Sequence, residues 1–220
     1  MIDMNAIGAL AKAAAGEIAI LRAPEKNAAL RAMADEIVRA KEEILTANAC
    51  DVDAASEAGM SEPMIDRLML NSARINAMAK GIRDVADLPD PVGRLLEGGT
   101  LDNGLRIERR SVPFGVIGII YEARPNVTAD AAALCFKSGS ACILRGGSEA
   151  IHSNVAIARA MRRGLSKMNI NRDAVLLVRD TDRESAQQMM KLNGYLDLLD
   201  RKSTRLNSSH CRISRMPSSA

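Results

Sequence analysis

The sequence is poor in aromatic rings: two tyrosines, two phenylalanines and no tryptophan in 220 residues. Phe114, Tyr121, Phe136 and Tyr195 leave few platforms on which bases could stack, which argues against a single-strand nucleic-acid binder. Metal ligands are scarce as well. Two histidines (His152, His210) and four cysteines (Cys50, Cys135, Cys142, Cys211), with no Cys-x-x-Cys spacing, point to neither a structural zinc nor a disulfide framework. No apolar run approaches the roughly 20 residues of a membrane span. The first residues, "MIDMNAIGALAKAAAGEI", lack the apolar core and cleavage site of a signal peptide, so no membrane is expected as a partner and the cytoplasm is the expected location. Neither G-x-x-x-x-G-K-[ST] nor G-x-G-x-x-G occurs.

The last twenty residues combine basic charge with a complete lack of acid. Residues 201–220 hold Arg201, Lys202, Arg205, Arg212 and Arg215 and no acidic residue, so of the chain's 30 basic and 27 acidic groups the first 200 residues carry 25 and 27. The net +3 therefore belongs to the tail, and the remainder gives no basic footprint for nucleic acid.

What is present divides into two rhythms. Leu30, Met33, Ile37, Ala40 and Ile44 step by three and four, predicting one helix over about 24–53 with Pro24 in its first turn. A second helix is expected from Ser61, and a third carries Ile75, Met78, Ile82 and Val85. "LPDPVG" (88–93) stops the helices. "DNG" (102–104) marks a tight turn, and the alternation in "LRIERR" predicts a hairpin, whose exposed edges invite a partner. Beyond residue 113, apolar runs at 114–121, 141–145, 174–178 and 195–199 alternate with helical patterns at 126–139, 148–168 and 183–192. That repetition predicts an α/β fold with a parallel sheet covered on both faces, whose ligands bind at the carboxyl ends of the strands. Arg145 and Gly146 fall at one such end. A helix N-terminus just beyond them suits a phosphate or ribose.

The stretch "RRSVPFGVIGIIYEARPNVTADAAALCFKSGSACILRGGSEAIHSN" (109–154) resembles the gamma-glutamyl phosphate reductase family, also called glutamate-5-semialdehyde dehydrogenases, of the aldehyde dehydrogenase superfamily. The likeness is strongest in "GVIGIIYEARPNVT" and "ILRGGSEA" and extends through "MIDRLML" and "LPDPVGRLLEGG" upstream and to about Leu199 downstream. It covers most of this chain but only the first half of a family member. The resemblance implies an aldehyde-dehydrogenase-like fold, here truncated. Residues 1–93 are then the helical part of the cofactor domain, 94–112 an oligomerisation hairpin, 113–199 a Rossmann-like NADP-binding part, and 200–220 a non-native, disordered tail similar to translated adaptor sequence. A genuine basic tail for an acidic partner is the alternative there.

The same resemblance implies an oxidoreductase that uses NADPH to reduce L-glutamyl 5-phosphate to L-glutamate 5-semialdehyde with loss of phosphate, in proline biosynthesis. A homo-oligomer is implied, with glutamate 5-kinase as a candidate partner. Arg145 would fork onto the cofactor's 2′-phosphate, Gly146 and Gly147 would let the backbone approach it, and Ser148 and Glu149 would follow as helix cap and first-turn acid. Asn126 corresponds to the amide that helps hold the oxyanion, or else caps the following helix. Glu122 and Arg124 are candidates for the substrate entrance, while Lys137 and His152 read as solvated helix positions. No metal is implied.

The family's nucleophile is a cysteine preceded by Ser-Thr, and it is absent here: the one Ser-Thr, Ser203-Thr204, precedes Arg205. The chain alone is therefore expected to be inactive. The alternative reading is a non-catalytic nucleotide-binding or assembly fragment.

Overall fold

The computed structural model describes residues 3–201. Five helices come first: α1 (Met4–Ala19), α2 (Ala23–Arg39), α3 (Lys41–Glu57), α4 (Glu62–Leu68) and α5 (Ser72–Asp87). Helix α1, which no apolar stripe announces, is built largely of alanine and started by Asp3, whose carboxylate accepts from the N–H groups of Asn5 and Ala6 at 2.9 and 3.2 Å. The single helix expected over 24–53 is two. The backbone breaks at Ala40 (φ −82°, ψ 9°), yet Leu30, Met33, Ile37, Ala40 and Ile44 are all buried. The break re-aims the chain without interrupting its apolar stripe, so α2 packs on α5 and α7 while α3 follows α7 (Ile151–Lys167). No glycine or proline marks the break, and the sequence carries no sign of it.

The hairpin pairs β1 (Leu95–Thr100) antiparallel to β2 (Arg106–Arg110), and every residue of both strands is exposed. Its turn closes as "DNG" suggests, with Asn103 Oδ1 accepting from the Leu105 N–H at 3.1 Å and Gly104 at φ 83°.

The remaining elements are β3 (Val116–Ile120), α6 (Asn126–Lys137), β4 (Ala141–Arg145), α7, β5 (Val175–Leu177), α8 (Arg183–Met190) and β6 (Leu198–Arg201). The four strands β3 to β6 form one parallel sheet in the order β5-β4-β3-β6. Two crossovers step outward from β3, and the third returns to its other side. Right-handed connections then place α6 and α7 on one face and α8 on the other. Accordingly, α6 and α7 touch each other and α2, whereas α1 touches β3, β4, β5 and α8. The order reverses beside β3, the position at which open α/β sheets form a ligand crevice.

Three expectations need correction. The last strand begins at Leu198, not Tyr195: a turn at Gly194 (φ 84°) turns the Tyr195 ring onto Gly8 of α1, and Asp197 accepts from the Val116 N–H at 2.9 Å. Helix α7 is preceded by a single 3-10 turn at Ser148–Ala150. Lys137 is not solvated. It is 3% exposed, and its ammonium donates to Asn27 Oδ1 and the Ala86 carbonyl at 2.6 and 2.8 Å, tying α6 to α2 and α5. Its aliphatic stem is what lets a lysine be buried there. The tail expected from residue 200, with Ser203, Thr204, His210 and Cys211, lies outside the described residues beyond Arg201.

Candidate functional site

The carboxyl ends of β3, β4 and β5 carry three loops that are bonded to one another. The Tyr121 N–H donates to the Arg145 carbonyl at 3.0 Å, and the Val178 N–H to the Leu144 carbonyl at 2.8 Å. Ala123 sits at φ 29°, an uncommon conformation for a residue with a Cβ, and its N–H donates to Glu149 Oε1 at 2.6 Å. Glu149 thus clamps the loop after β3 to the loop after β4. Neither it nor Ser148 caps a helix, because no side chain caps this 3-10 turn.

Arg145 reaches sideways. One guanidinium nitrogen donates to the carbonyls of Thr181 and Asp182, holding the loop between β5 and α8, while Nε is buried with no partner among the described residues. Gly146 and Gly147 are themselves buried and have an internal reason to be glycine. A Cβ on Gly146 would lie 2.2 Å from Nδ2 of Asn154, and one on Gly147 would lie 2.2 Å from the Glu149 carboxylate. Beneath them, Thr128 Oγ1 donates to Asn154 Oδ1 at 2.8 Å, which leaves the Tyr121 hydroxyl to donate to Thr128 at 2.6 Å. Burial raises the Tyr121 phenol well above its ordinary value, so it stays protonated. Asn154 Nδ2 is the second buried donor without a partner among the described residues.

Asn126 is the first residue of α6 and makes no cap; its amide donates to Asp130 Oδ2 one turn on, at 3.2 Å. Both belong to a cleft of about 420 Å³ that also takes in Asp66 and Arg67 from α4, Arg74 and Met78 from α5, and Arg124 from the loop after β3. Burial pushes the Asp130 carboxyl up, against the Asn126 hydrogen bond that pulls it down. A second, smaller slot of about 230 Å³ runs along β5 and α7. Its walls are Val155, Ala158, Leu176 and Leu177, and Arg159, Arg162 and Arg179 rim it.

Two of the three described thiols lie in the core. Cys135 and Cys142 are buried against each other, and the hydrogen bond that the Cys142 thiol makes to Cys135, together with burial, drives the Cys142 thiol up; Cys50 is exposed on α3. Among the described residues, no group of three His, Cys, Asp or Glu could hold a metal ion, and no helix is long and apolar enough to cross a membrane.

Comparison with known proteins gives this geometry a context. No family model matches the chain. A gamma-glutamyl phosphate reductase of Geobacillus sp. is 52% identical over 186 residues, 84% of this chain and 45% of its own length. The solved gamma-glutamyl phosphate reductase of Thermotoga maritima superposes with a TM-score of 0.88 at 39% identity, over 90% of this chain and 48% of that one. The chain is a relative of the gamma-glutamyl phosphate reductases. It spans about half the length of the curated relatives it matches. The fold extends further. A probable aldehyde dehydrogenase of Listeria monocytogenes aligns with a TM-score of 0.66 at 14% identity, over 88% of this chain and 40% of that one. An engineered glycolyl-CoA reductase with bound NADP+ aligns at 0.63 and 16%, over 91% of this chain and 42% of that one. The fold is therefore α/β of the aldehyde dehydrogenase kind, as the resemblance implied, with the parallel sheet that the strand-helix alternation predicted.

Sequence reasoning singled out Arg124 and Asn126, which the larger cleft brings together, but missed Arg67, Arg74 and Asp130 beside them and the whole of the slot along β5. Each cavity is assembled from segments far apart in the chain, and the missed arginines carry no local pattern. It also missed Asn154 and Thr128, whose only signal is polarity on otherwise apolar helix faces.

Proposed function

We propose that this chain forms the cofactor-binding part of an NADPH-dependent reductase that converts L-glutamyl 5-phosphate to L-glutamate 5-semialdehyde and phosphate, a step of proline biosynthesis. One observation carries the reading: about half of its residues are shared with gamma-glutamyl phosphate reductases over most of the chain. The residues at the strand ends fit a dinucleotide. Arg145 offers a buried Nε without a partner among the described residues, on a guanidinium already fixed by two carbonyls, and the slot along β5 sets aliphatic side chains for a flat base beside Arg179 and beside Arg159, which pairs with Glu43 at 3.3 Å. NADPH, when bound, supplies the hydride. The chain's own groups bind and orient: Glu149 holds the loop after β3, and Asn126 stands beside that loop as a donor for an oxyanion.

Two of the described cysteines are buried and the third, Cys50, is not preceded by Ser-Thr, so none of them matches the nucleophile that the resemblance implies and the chain by itself does not turn over substrate. The exposed hairpin, with Leu95, Leu96 and Ile107 more than 50% or close to 50% exposed, is the surface through which we propose copies associate; soluble, cytoplasmic action and an encounter with glutamate 5-kinase belong to the same reading.

Binding and turnover separate these claims. Titrating the purified chain with NADPH should quench and shift cofactor fluorescence, and Arg145→Gln should weaken that binding. Incubation with glutamate 5-semialdehyde, phosphate and NADP+ should produce no NADPH. Turnover by the chain alone would overturn the proposed inactivity, and absence of NADPH binding would overturn the cofactor assignment.

A further inference from the structure

The 420 Å³ cleft between α4, α5 and α6 has an uneven charge distribution. Arg74 is already spent. It donates to the carbonyls of Asp66 and Met69 and pairs with the Asp66 carboxylate at 2.9 Å, so these two charges cancel and lock the turn between α4 and α5. Arg67 and Arg124, by contrast, make no side-chain hydrogen bond or ion pair among the described residues, although both line the cleft.

Asp130 has the opposite deficit. Its carboxylate faces α5, with Oδ1 3.9 Å from where a Cβ on Gly81 would sit, and its one side-chain partner is the neutral Asn126 amide. Among the described residues no cation pairs with it, and partial desolvation against α5, in a residue that still reaches solvent, pushes its carboxyl up. Among the described residues, the cleft therefore presents two cations and one carboxylate that form no ion pair. A molecule with two anionic groups and one ammonium complements that pattern, and a lone phosphate or a simple dicarboxylate does not.

We propose that this cleft is the subsite for the amino-acid end of the substrate, taking an α-amino dicarboxylic acid with Arg67 and Arg124 on its anionic groups and Asp130 on its ammonium. The proposal rests on the reductase reading for its substrate, and it deepens that reading by assigning recognition to residues 66–78 and 124–130. The cleft adjoins the loop after β3, and Asn126, the proposed oxyanion donor, is itself one of its lining residues.

The test uses the 220-residue chain, with isotope-edited NMR and L-glutamate as the probe at millimolar concentration and low ionic strength. Expected are shifts confined to amides of residues 66–78 and 124–130, with glutarate, which lacks the ammonium, binding several-fold more weakly. Losing one charge-assisted contact should cost roughly tenfold in affinity. Arg67→Gln and Arg124→Gln should therefore each weaken both ligands by that order, whereas Asp130→Asn should weaken L-glutamate and leave glutarate unchanged. Both arginines are exposed, so these variants keep their fold, which the unperturbed spectrum checks directly. Shifts elsewhere, equal binding of glutarate, or indifference to all three substitutions would overturn the proposal. A parallel NADPH titration keeps the two readings apart. Cofactor binding without L-glutamate binding overturns the subsite alone, and L-glutamate binding without cofactor binding overturns the cofactor assignment and leaves the subsite standing.

Discussion

The loop after β4 and the cleft beside α4 and α5 lie on either side of the loop after β3, and they use polar residues in opposite ways. At the first, most groups are committed to the protein itself: Glu149 to the Ala123 N–H, Arg145 to two loop carbonyls, Asn154 to Thr128. At the second, Arg67 and Arg124 are committed to nothing among the described residues. The contrast teaches that a motif conspicuous in the sequence can owe much of its composition to holding loops in place. Open binding capacity can reside in residues that the conspicuous loop leaves out: Arg67 forms no motif, and Arg124 comes from the loop after β3.

The sharpest way to break this contrast is Gly146→Ala. With a Cβ forced to 2.2 Å from Asn154, whose side chain is buried and bonded to Thr128, the variant should lose about 1–3 kcal/mol of stability in urea unfolding. An unchanged midpoint would mean that the glycine is there for ligand clearance alone.

Acid should come next. Burial would raise the carboxyls of Asp90 and Glu36, but their hydrogen bonds and charges outweigh it: Lys26 and the Val92 N–H for Asp90, Lys167 and Arg39 for Glu36. Both end lowered, so they bind protons less readily folded than unfolded. Their stabilisation is complete above the unfolded carboxylate range, about pH 4–5, and is lost as pH falls through their lower folded values. Thermal unfolding from neutral pH to about pH 2 should show the loss, and Asp90→Asn should flatten the profile.

Glu149→Ala should cost about 1 kcal/mol, by freeing the Ala123 N–H and its strained loop, with a loss of NADPH affinity larger than the stability change accounts for. Smallest of all, Arg67→Gln and Arg124→Gln should move the unfolding midpoint by less than about 0.5 kcal/mol, as exposed substitutions do. A larger loss at either arginine would show that it too is spent on the fold, and the contrast would fail.

Much of the fold was legible because its signals are local. The strand 141–145, the helix at 126–137 and the hairpin turn at Asn103 and Gly104 follow from apolar runs and turn chemistry that a few residues specify. The break at Ala40 was not legible, because the apolar stripe runs through it unchanged and only packing on α5 and α7 requires the bend. Lys137 was misread for a related reason. A lysine on a helix face looks solvated until Asn27 and the Ala86 carbonyl, from distant elements, arrive to satisfy it.

The candidate site divides along the same line. Arg145, Gly146, Gly147, Ser148 and Glu149 are contiguous, so the sequence by itself determined that a polar, glycine-bearing loop would stand at a strand end, and strand-helix alternation determined a parallel sheet. Only the tertiary structure decided what those residues touch, that Ser148 caps nothing, and that Arg67, Arg124 and Asp130 share one cleft. The physical reason is range. Backbone preference and hydrophobic period act over a few residues, whereas hydrogen-bond satisfaction and charge balance are settled by whichever distant segments the packed core brings together.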